Sequence, residues 1–114
     1  MAALNTYRSD LTRGGILDYR EHHEALPKVA SQLGTALPRQ DHVEDFWPLL
    51  ERMRQEGAVV LLKLDGERSG PGARPYTTVV SGGALGAEHV RTDARTVGDA
   101  LTFAVVSYFG KADR

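Results

Sequence analysis

The segment of the sequence with the clearest chemical potential is Lys63-Leu64-Asp65-Gly66-Glu67-Arg68. A lysine amine can act as a nucleophile that forms a covalent intermediate. The Asp-Gly pair that follows favours a turn. An arginine three residues after the aspartate can face a phosphate group. A lysine nucleophile followed by an Asp-Gly turn and a phosphate-facing arginine is therefore a chemically sensible combination.

The same segment matches the pattern K-x-D-G-x-R, and in this it resembles the ATP-dependent ligases and capping enzymes, whose lysine becomes adenylylated or guanylylated. Those enzymes share a nucleotidyltransferase domain longer than the 114 residues of this chain, with further motifs downstream. An Asp-Gly turn flanked by solvated charges is the simpler explanation of the match. We therefore expect the chain not to be an enzyme, and a truncated nucleotidyltransferase is the least favoured hypothesis.

Other catalytic and metal-binding patterns are weak. His22 and His23 lie between two glutamates, but adjacent helical residues diverge by about 100°, so the two imidazoles cannot easily share one ion. We expect both on a solvated helical face. The chain has no cysteine, and its glycine-rich stretches 66–72 and 82–86 lack phosphate-loop patterns. We expect no catalytic residue, no bound metal and no cofactor.

Trp47 is the only tryptophan, and it lies next to Phe46 in an acidic neighbourhood. Phe46 falls on an apolar stripe at helical spacing, whereas Trp47 lies one position off that stripe. Core packing is the default for both rings. A partly exposed Trp47 among carboxylates would instead be an anchor for a protein partner, because tryptophan is enriched at binding hot spots.

Length and composition limit the class of protein. A chain of 114 residues predicts one domain, residues 1–114, with residues 1–15 as a loosely ordered arm or a short edge strand around Leu4–Leu11. A net charge of −1 without a basic run argues against binding to nucleic acid or to an anionic membrane. No apolar run approaches the roughly 20 residues of a membrane span, and no signal peptide is recognisable. We expect a cytoplasmic, soluble protein.

The strands that position these residues are predicted from β-branched runs and glycine-rich turns. Ala58–Leu64 is almost continuously apolar, which predicts a strand with both faces covered. Tyr76–Ser81 is its antiparallel partner across a long loop that starts at Asp65-Gly66. Glu88–Thr92 predicts a third strand at one edge, where its charges discourage pairing with another molecule.

Two helical regions are predicted before the hairpin. Asp18 and Glu21 have the spacing of a capping box, and Pro27 interrupts the helix that they start. That region stops at Gly34. An apolar stripe with i, i+3, i+4, i+7 spacing predicts a second helix over Asp45–Glu56, with Asp45 as its N-cap.

A last helix follows the third strand. Thr96 and Asp99 form a capping-box pattern at its start, and Gly110 is its predicted end. The order of elements predicts an α+β fold in two layers. In it, a three-stranded antiparallel meander is packed by N-terminal helices and a C-terminal helix.

Four segments together resemble one family: YREHHEALPKVASQLG, FWPLLERM, the hairpin VVLLKLDGER–PYTTVVSGG, and DALTFAVVSY. In size, layout and texture they resemble the small bacterial immunity proteins encoded beside contact-dependent growth-inhibition toxins. The resemblance implies stoichiometric inhibition of a cognate toxin's C-terminal domain, often a tRNA-cleaving nuclease, by covering its active site or RNA groove. It implies a protein partner, without direct contact to nucleic acid or membrane.

If the partner is such a nuclease, an acidic surface can take the place of RNA phosphates against its lysines and arginines. The expected partner-binding residues are Glu21, Glu24, Asp41, Glu44, Asp45 and Trp47, with Glu67 and Arg68 in second place. The alternative function is a small-molecule or nucleotide-binding regulatory domain that uses the glycine-rich loops.

Overall fold

The computed structural model describes residues 19–112, with side chains as far as Gly110. The predicted arm at residues 1–15, and Asp18 of the predicted capping box, lie outside the described residues. The elements in chain order are α1 (Arg20–Leu33), a 3₁₀ turn η1 (Val43–Phe46), α2 (Trp47–Gln55), β1 (Ala58–Leu64), β2 (Tyr76–Gly82), a 3₁₀ turn η2 (Gly83–Leu85), β3 (His89–Ala94) and α3 (Val97–Ala112).

The three strands form one antiparallel sheet in the order β1-β2-β3, which confirms the predicted meander. Val80 of β2 lies opposite Val60 on one side and Val90 on the other. Alternate residues of a strand point to the same side of the sheet. The even-numbered strand residues, which include these three valines, therefore share one side, which we call the inner face. Val80 and Val90 are buried there, while the odd-numbered positions form the outer face.

The helices cover the inner face, and α3 is the central element of their layer. It packs against α1, β2 and β3, and its residues 100–105 are all buried. A helix that is apolar on every side belongs inside a core. The core around it combines residues of η1, α2, the sheet and α3: Phe46, Leu49, Met53, Val80, Leu101, Val105 and Tyr108. This arrangement confirms the predicted α+β fold in two layers.

The prediction that both faces of β1 are covered is wrong. Val59 and Leu61 on its outer face are exposed, as are Leu62 and Leu64 at the end of its inner face. The strand lies at an edge of the sheet, and no described element covers the outer face. A continuous apolar run does not by itself distinguish a buried strand from an edge strand, because both have the same pattern.

Helix α1 also differs from its prediction. It runs without a break through Pro27, which was expected to interrupt it. Proline removes the N–H that would bond the carbonyl four residues earlier. Pro27 is exposed, so water can hydrate that carbonyl and the helix continues. The predicted end is confirmed, since Gly34 adopts the left-handed conformation with φ of 72°.

The starts and ends of the later helices are partly as predicted. Asp45 is not the N-cap of α2, because that helix starts at Trp47 after the 3₁₀ turn and the cap position holds Phe46. Pro48 lies in the first turn of α2, where its missing N–H costs no helical hydrogen bond. The Thr96 side chain accepts a hydrogen bond from the N–H of Asp99 at 3.1 Å, as a capping residue does. Helix α3 does not stop at Gly110 but continues to Ala112.

Within residues 19–112 no helix is both long enough and apolar enough to cross a bilayer.

Candidate protein-binding surface

Trp47 is largely exposed although its neighbour Phe46 is fully buried. The side chain of Phe46 lies in the core with none of its surface accessible, whereas Trp47 is 65% exposed. Because Phe46 is fixed by packing, the following residue must point away from the core. Val43, four residues before Trp47, is also exposed. The start of α2 therefore presents an apolar anchor to solvent.

Residues 39–56 contain five carboxylates and three arginines, and the ion pairs show which carboxylates are neutralised. Arg39 bonds Asp45 at 2.8 Å, and its hydrogen bonds lower the pKa of that carboxyl to about 2. The other two arginines form helical pairs, Arg54 with Glu51 at 2.6 Å and Arg52 with Glu56 at 3.3 Å. Each arginine of this segment is thus matched by one carboxylate.

Asp41 and Glu44 are the two carboxylates that no arginine matches. Asp41 accepts a hydrogen bond from the ring of His42 at 2.7 Å, and this bond is the main reason why its pKa is lowered. The carboxylate of Glu44 forms no hydrogen bond or ion pair within residues 19–112, while its backbone carbonyl accepts a hydrogen bond from the N–H of Trp47. Both residues are exposed, on either side of Val43. We call Asp41, Val43, Glu44 and Trp47 the Trp47 surface.

The loop that carries this surface is held at both ends. The backbone N–H and the Nε of Arg39 both donate to one oxygen of Asp45, at 3.0 and 2.8 Å, which closes residues 39–45 into a ring. The Gln40 amide donates to the buried hydroxyl of Thr102 on α3 at 3.0 Å. Gly98 makes this contact possible, because a Cβ there would lie 2.4 Å from the Gln40 carbonyl oxygen. An interface held in place before binding loses less entropy when a partner docks.

The other acidic residues expected at the interface lie on a different element. Glu21 and Glu24 are exposed on the first turns of α1. Helix α3 packs against both α1 and the unit formed by η1 and α2, whereas α1 makes at most slight contact with η1. The structure therefore brings Asp41, Glu44, Asp45 and Trp47 together, and places Glu21 and Glu24 apart from them.

Glu67 and Arg68 lie in the long hairpin loop. Glu67 is exposed, and its N–H donates to the side chain of Asp65 at 3.0 Å. Arg68 is partly buried and pairs with Asp65 at 3.3 Å and with Asp93 of β3 at 3.2 Å. Lys63 pairs with the same Asp65 at 3.3 Å. The Lys63, Asp65 and Arg68 side chains of the K-x-D-G-x-R segment thus form one ion-pair cluster that ties the loop to the sheet.

The expectation that His22 and His23 lie on a solvated face is wrong, because both are half-buried against α3. The His22 ring stacks on Phe103 with centroids 5.3 Å apart, and burial lowers the pKa of His22 to about 4. His23 lies 2.6 Å from Asp99, and Ser107 lies 3.4 Å from the other imidazole. Ser107 and Asp99 thus contact different histidines. They therefore do not share one histidine, as the serine and aspartate of a catalytic triad do.

Metal ligation was also considered for the acidic and histidine side chains. Among the residues that the structure describes, no group of three or more histidines, aspartates, glutamates or cysteines is placed to hold a metal ion. The Trp47 surface combines an exposed indole with two carboxylates that no arginine pairs.

Val43 is the member of the Trp47 surface that the sequence interpretation missed. Its exposure follows from the 3₁₀ turn η1, which lies mostly before Asp45, the predicted start of the helix. The available signal was the spacing of four residues between Val43 and Trp47, which places two side chains about one helical turn apart.

No family model, curated protein or solved structure matches this chain. The functional argument therefore depends on the surface itself. An exposed indole beside two carboxylates that lack arginine partners is suited to a protein surface that combines an apolar recess with lysines or arginines.

Proposed function

We propose that this protein binds a cognate protein and neutralises it by covering its functional surface, in the manner of the immunity proteins that its sequence resembles. The observation that carries the proposal is the 65% exposure of Trp47 at the start of α2, just after the loop that Arg39 and Asp45 close. Tryptophan is among the residues that dominate binding energy at protein interfaces, so an exposed indole is a ready anchor for a partner.

The partner that this surface fits is a basic protein. Asp41 and Glu44 supply negative charge beside the indole, so they can face the lysines and arginines with which a nuclease holds RNA phosphates. The proposed partner is accordingly the C-terminal nuclease domain of a growth-inhibition toxin, and the proposed compartment is the cytoplasm. The carboxylates would speed encounter, and Trp47 would supply most of the affinity.

The test is a titration of nuclease activity with this protein. The toxin domain encoded by the adjacent gene is purified, and its cleavage of tRNA is followed as the protein is added. We expect inhibition to be complete at an equimolar ratio. Removal of an anchor worth about 2 kcal/mol raises Kd about 30-fold, so Trp47→Ala should weaken inhibition by at least this factor.

Two variants serve as matched controls. Leu64→Ala truncates a side chain with the same exposure as Trp47, 66%, but on the sheet edge, and should leave inhibition unchanged. Glu44→Lys should slow association, whereas Glu67→Lys on the hairpin loop should not. The proposal fails if an excess of the protein leaves the toxin active. It also fails if nucleotides, rather than a protein, stabilise the chain against heat.

A further inference from the structure

Strand β1 lies at an edge of the sheet, and among residues 19–112 only β2 pairs with it. The N–H of Asp65 donates to the carbonyl of Pro75, directly opposite in the register, at 2.9 Å. Such hydrogen-bonded pairs recur at every second residue of an antiparallel ladder. The N–H and C=O groups of the odd-numbered residues of β1 therefore point to β2. Those of Val60, Leu62 and Leu64 point away from the sheet, and within residues 19–112 β1 pairs with β2 alone.

The two edges of the sheet differ in how they are protected. Strand β3 carries a charged or polar side chain at every outer-face position: His89, Arg91 and Asp93. Strand β1 carries one charge, Lys63, and Asp65 neutralises it at 3.3 Å. Its outer-face residues Val59 and Leu61 are exposed apolar side chains. Charges on an edge strand prevent pairing with other chains, so β3 is protected and β1 is not.

We propose that β1 pairs antiparallel with β1 of a second copy, about a two-fold axis at Leu61, to form a six-stranded sheet. In this register Leu61 lies opposite Leu61 of the second copy, Val60 opposite Leu62, and Val59 opposite Lys63. It pairs all seven residues of the strand and keeps inner-face residues opposite inner-face residues, which a shift by one position would not. The outward N–H and C=O groups of Val60 and Leu62 then bond across the axis.

The uncovered inner face of β1 supports the same register. Exposure rises along this face from 7% at Ala58 to 36% at Leu62 and 66% at Leu64, because the helical layer covers only the first part of the strand. Antiparallel pairing places Leu64 beside Ala58 of the second copy, where α2 of that copy packs against its own strand. Each copy therefore covers the leucines that the other leaves exposed.

Charge and size set the strength of this dimer. The two Lys63 residues lie four residues apart along the paired strands, about 14 Å, which exceeds the screening length of about 8 Å at physiological salt. They therefore repel each other little. Seven paired residues form a small interface, in the class below about 1,200 Å². We expect a reversible dimer with Kd in the micromolar range.

Sedimentation velocity over about 1–100 µM protein tests the proposal. The wild-type chain should pass from monomer to dimer. Leu61→Glu and Leu61→Lys each place like charges on the axis and should raise Kd at least tenfold. An equimolar mixture of the two variants should restore the dimer, because residue 61 faces itself. Leu37→Glu changes a residue of similar exposure, 53% against 59%, and should have no effect.

A second variant tests the register directly. The chain has no cysteine, so Leu61→Cys can form a disulfide only with another copy. Opposed residues of a non-hydrogen-bonded pair lie about 4.5 Å apart, within the range that a disulfide spans. Oxidation should yield a covalent dimer, and Leu37→Cys should not. A chain that stays monomeric at 100 µM, or that adds the strand of a different protein to β1, overturns the proposal.

Discussion

The pH dependence of stability should depend mainly on His22 between about pH 6.5 and 4. This ring lies between α1 and α3, stacked on Phe103, with Ser107 at 3.4 Å. Burial, together with a smaller effect of the neighbouring His23, lowers its pKa from 6.5 to about 4. The carboxylate of Asp99 is bonded to His23 at 2.6 Å. The folded protein therefore keeps His22 neutral.

The size of the effect follows from the difference in pKa. One pKa unit corresponds to about 1.4 kcal/mol, so the shift of His22 amounts to roughly 3 kcal/mol. Above pH 6.5 neither state binds the proton and this stability is complete. As the pH falls towards 4 only the unfolded chain binds it, so the free energy of unfolding decreases. Domains of this size are stable by about 5–15 kcal/mol, so the loss is easily measured.

The assay is urea unfolding followed by circular dichroism at about pH 7.5, 6 and 5. The midpoint should fall with pH while the m-value stays constant. His22→Phe keeps the aromatic contact and removes the titrating group, so its midpoint should change much less over this range. His89→Phe, on the exposed edge of β3, should behave like the wild type. A wild-type midpoint that does not change between pH 7.5 and 5, or a His22→Phe variant that keeps the full slope, would refute this explanation.

Three substitutions test the packing that positions the site, each by urea or thermal unfolding. Tyr108→Phe removes two hydrogen bonds of a fully buried phenol and should cost about 1–3 kcal/mol; an unchanged midpoint would mean that water replaces both. Pro27→Ala restores an N–H in the exposed interior of α1 and should raise stability by about 1–3 kcal/mol; a loss would contradict this. Gly98→Ala should destabilise by about 1–3 kcal/mol, opposite to the usual gain in a helix, because its Cβ meets the Gln40 carbonyl.

The sequence predicted the sheet well because its signals are local. The Asp65-Gly66 turn and two β-branched runs define the hairpin, and the register follows from the alternation of side chains. The exposure of β1 was not predictable, because it depends on how many strands and layers surround it. An apolar strand has the same composition at the edge of a sheet and in its centre.

The candidate site was predicted only in part, because some of its contacts do not follow from local sequence patterns. The default prediction of core packing is wrong for Trp47, although its position one residue off the apolar stripe left exposure open as the alternative. The ion-pair partner of Asp45 could not be predicted from the sequence. Arg39 contacts it only because of the conformation of the loop 39–45. The burial of His22 depends on Phe103, about eighty residues away, and no local pattern reports a contact between such distant residues.

The central claim is that Trp47 is buried by a protein partner, and ¹⁹F NMR of the protein labelled with 5-fluorotryptophan tests it most directly. Because the chain has one tryptophan, the spectrum has one resonance, whatever tryptophans the partner contains. In the free protein this resonance should respond to exchange of H₂O for D₂O, as that of an exposed indole does. We predict that it shifts and loses this response when an equimolar amount of the cognate toxin domain is added. A stable complex in which the resonance keeps its position and its solvent response would contradict the claim.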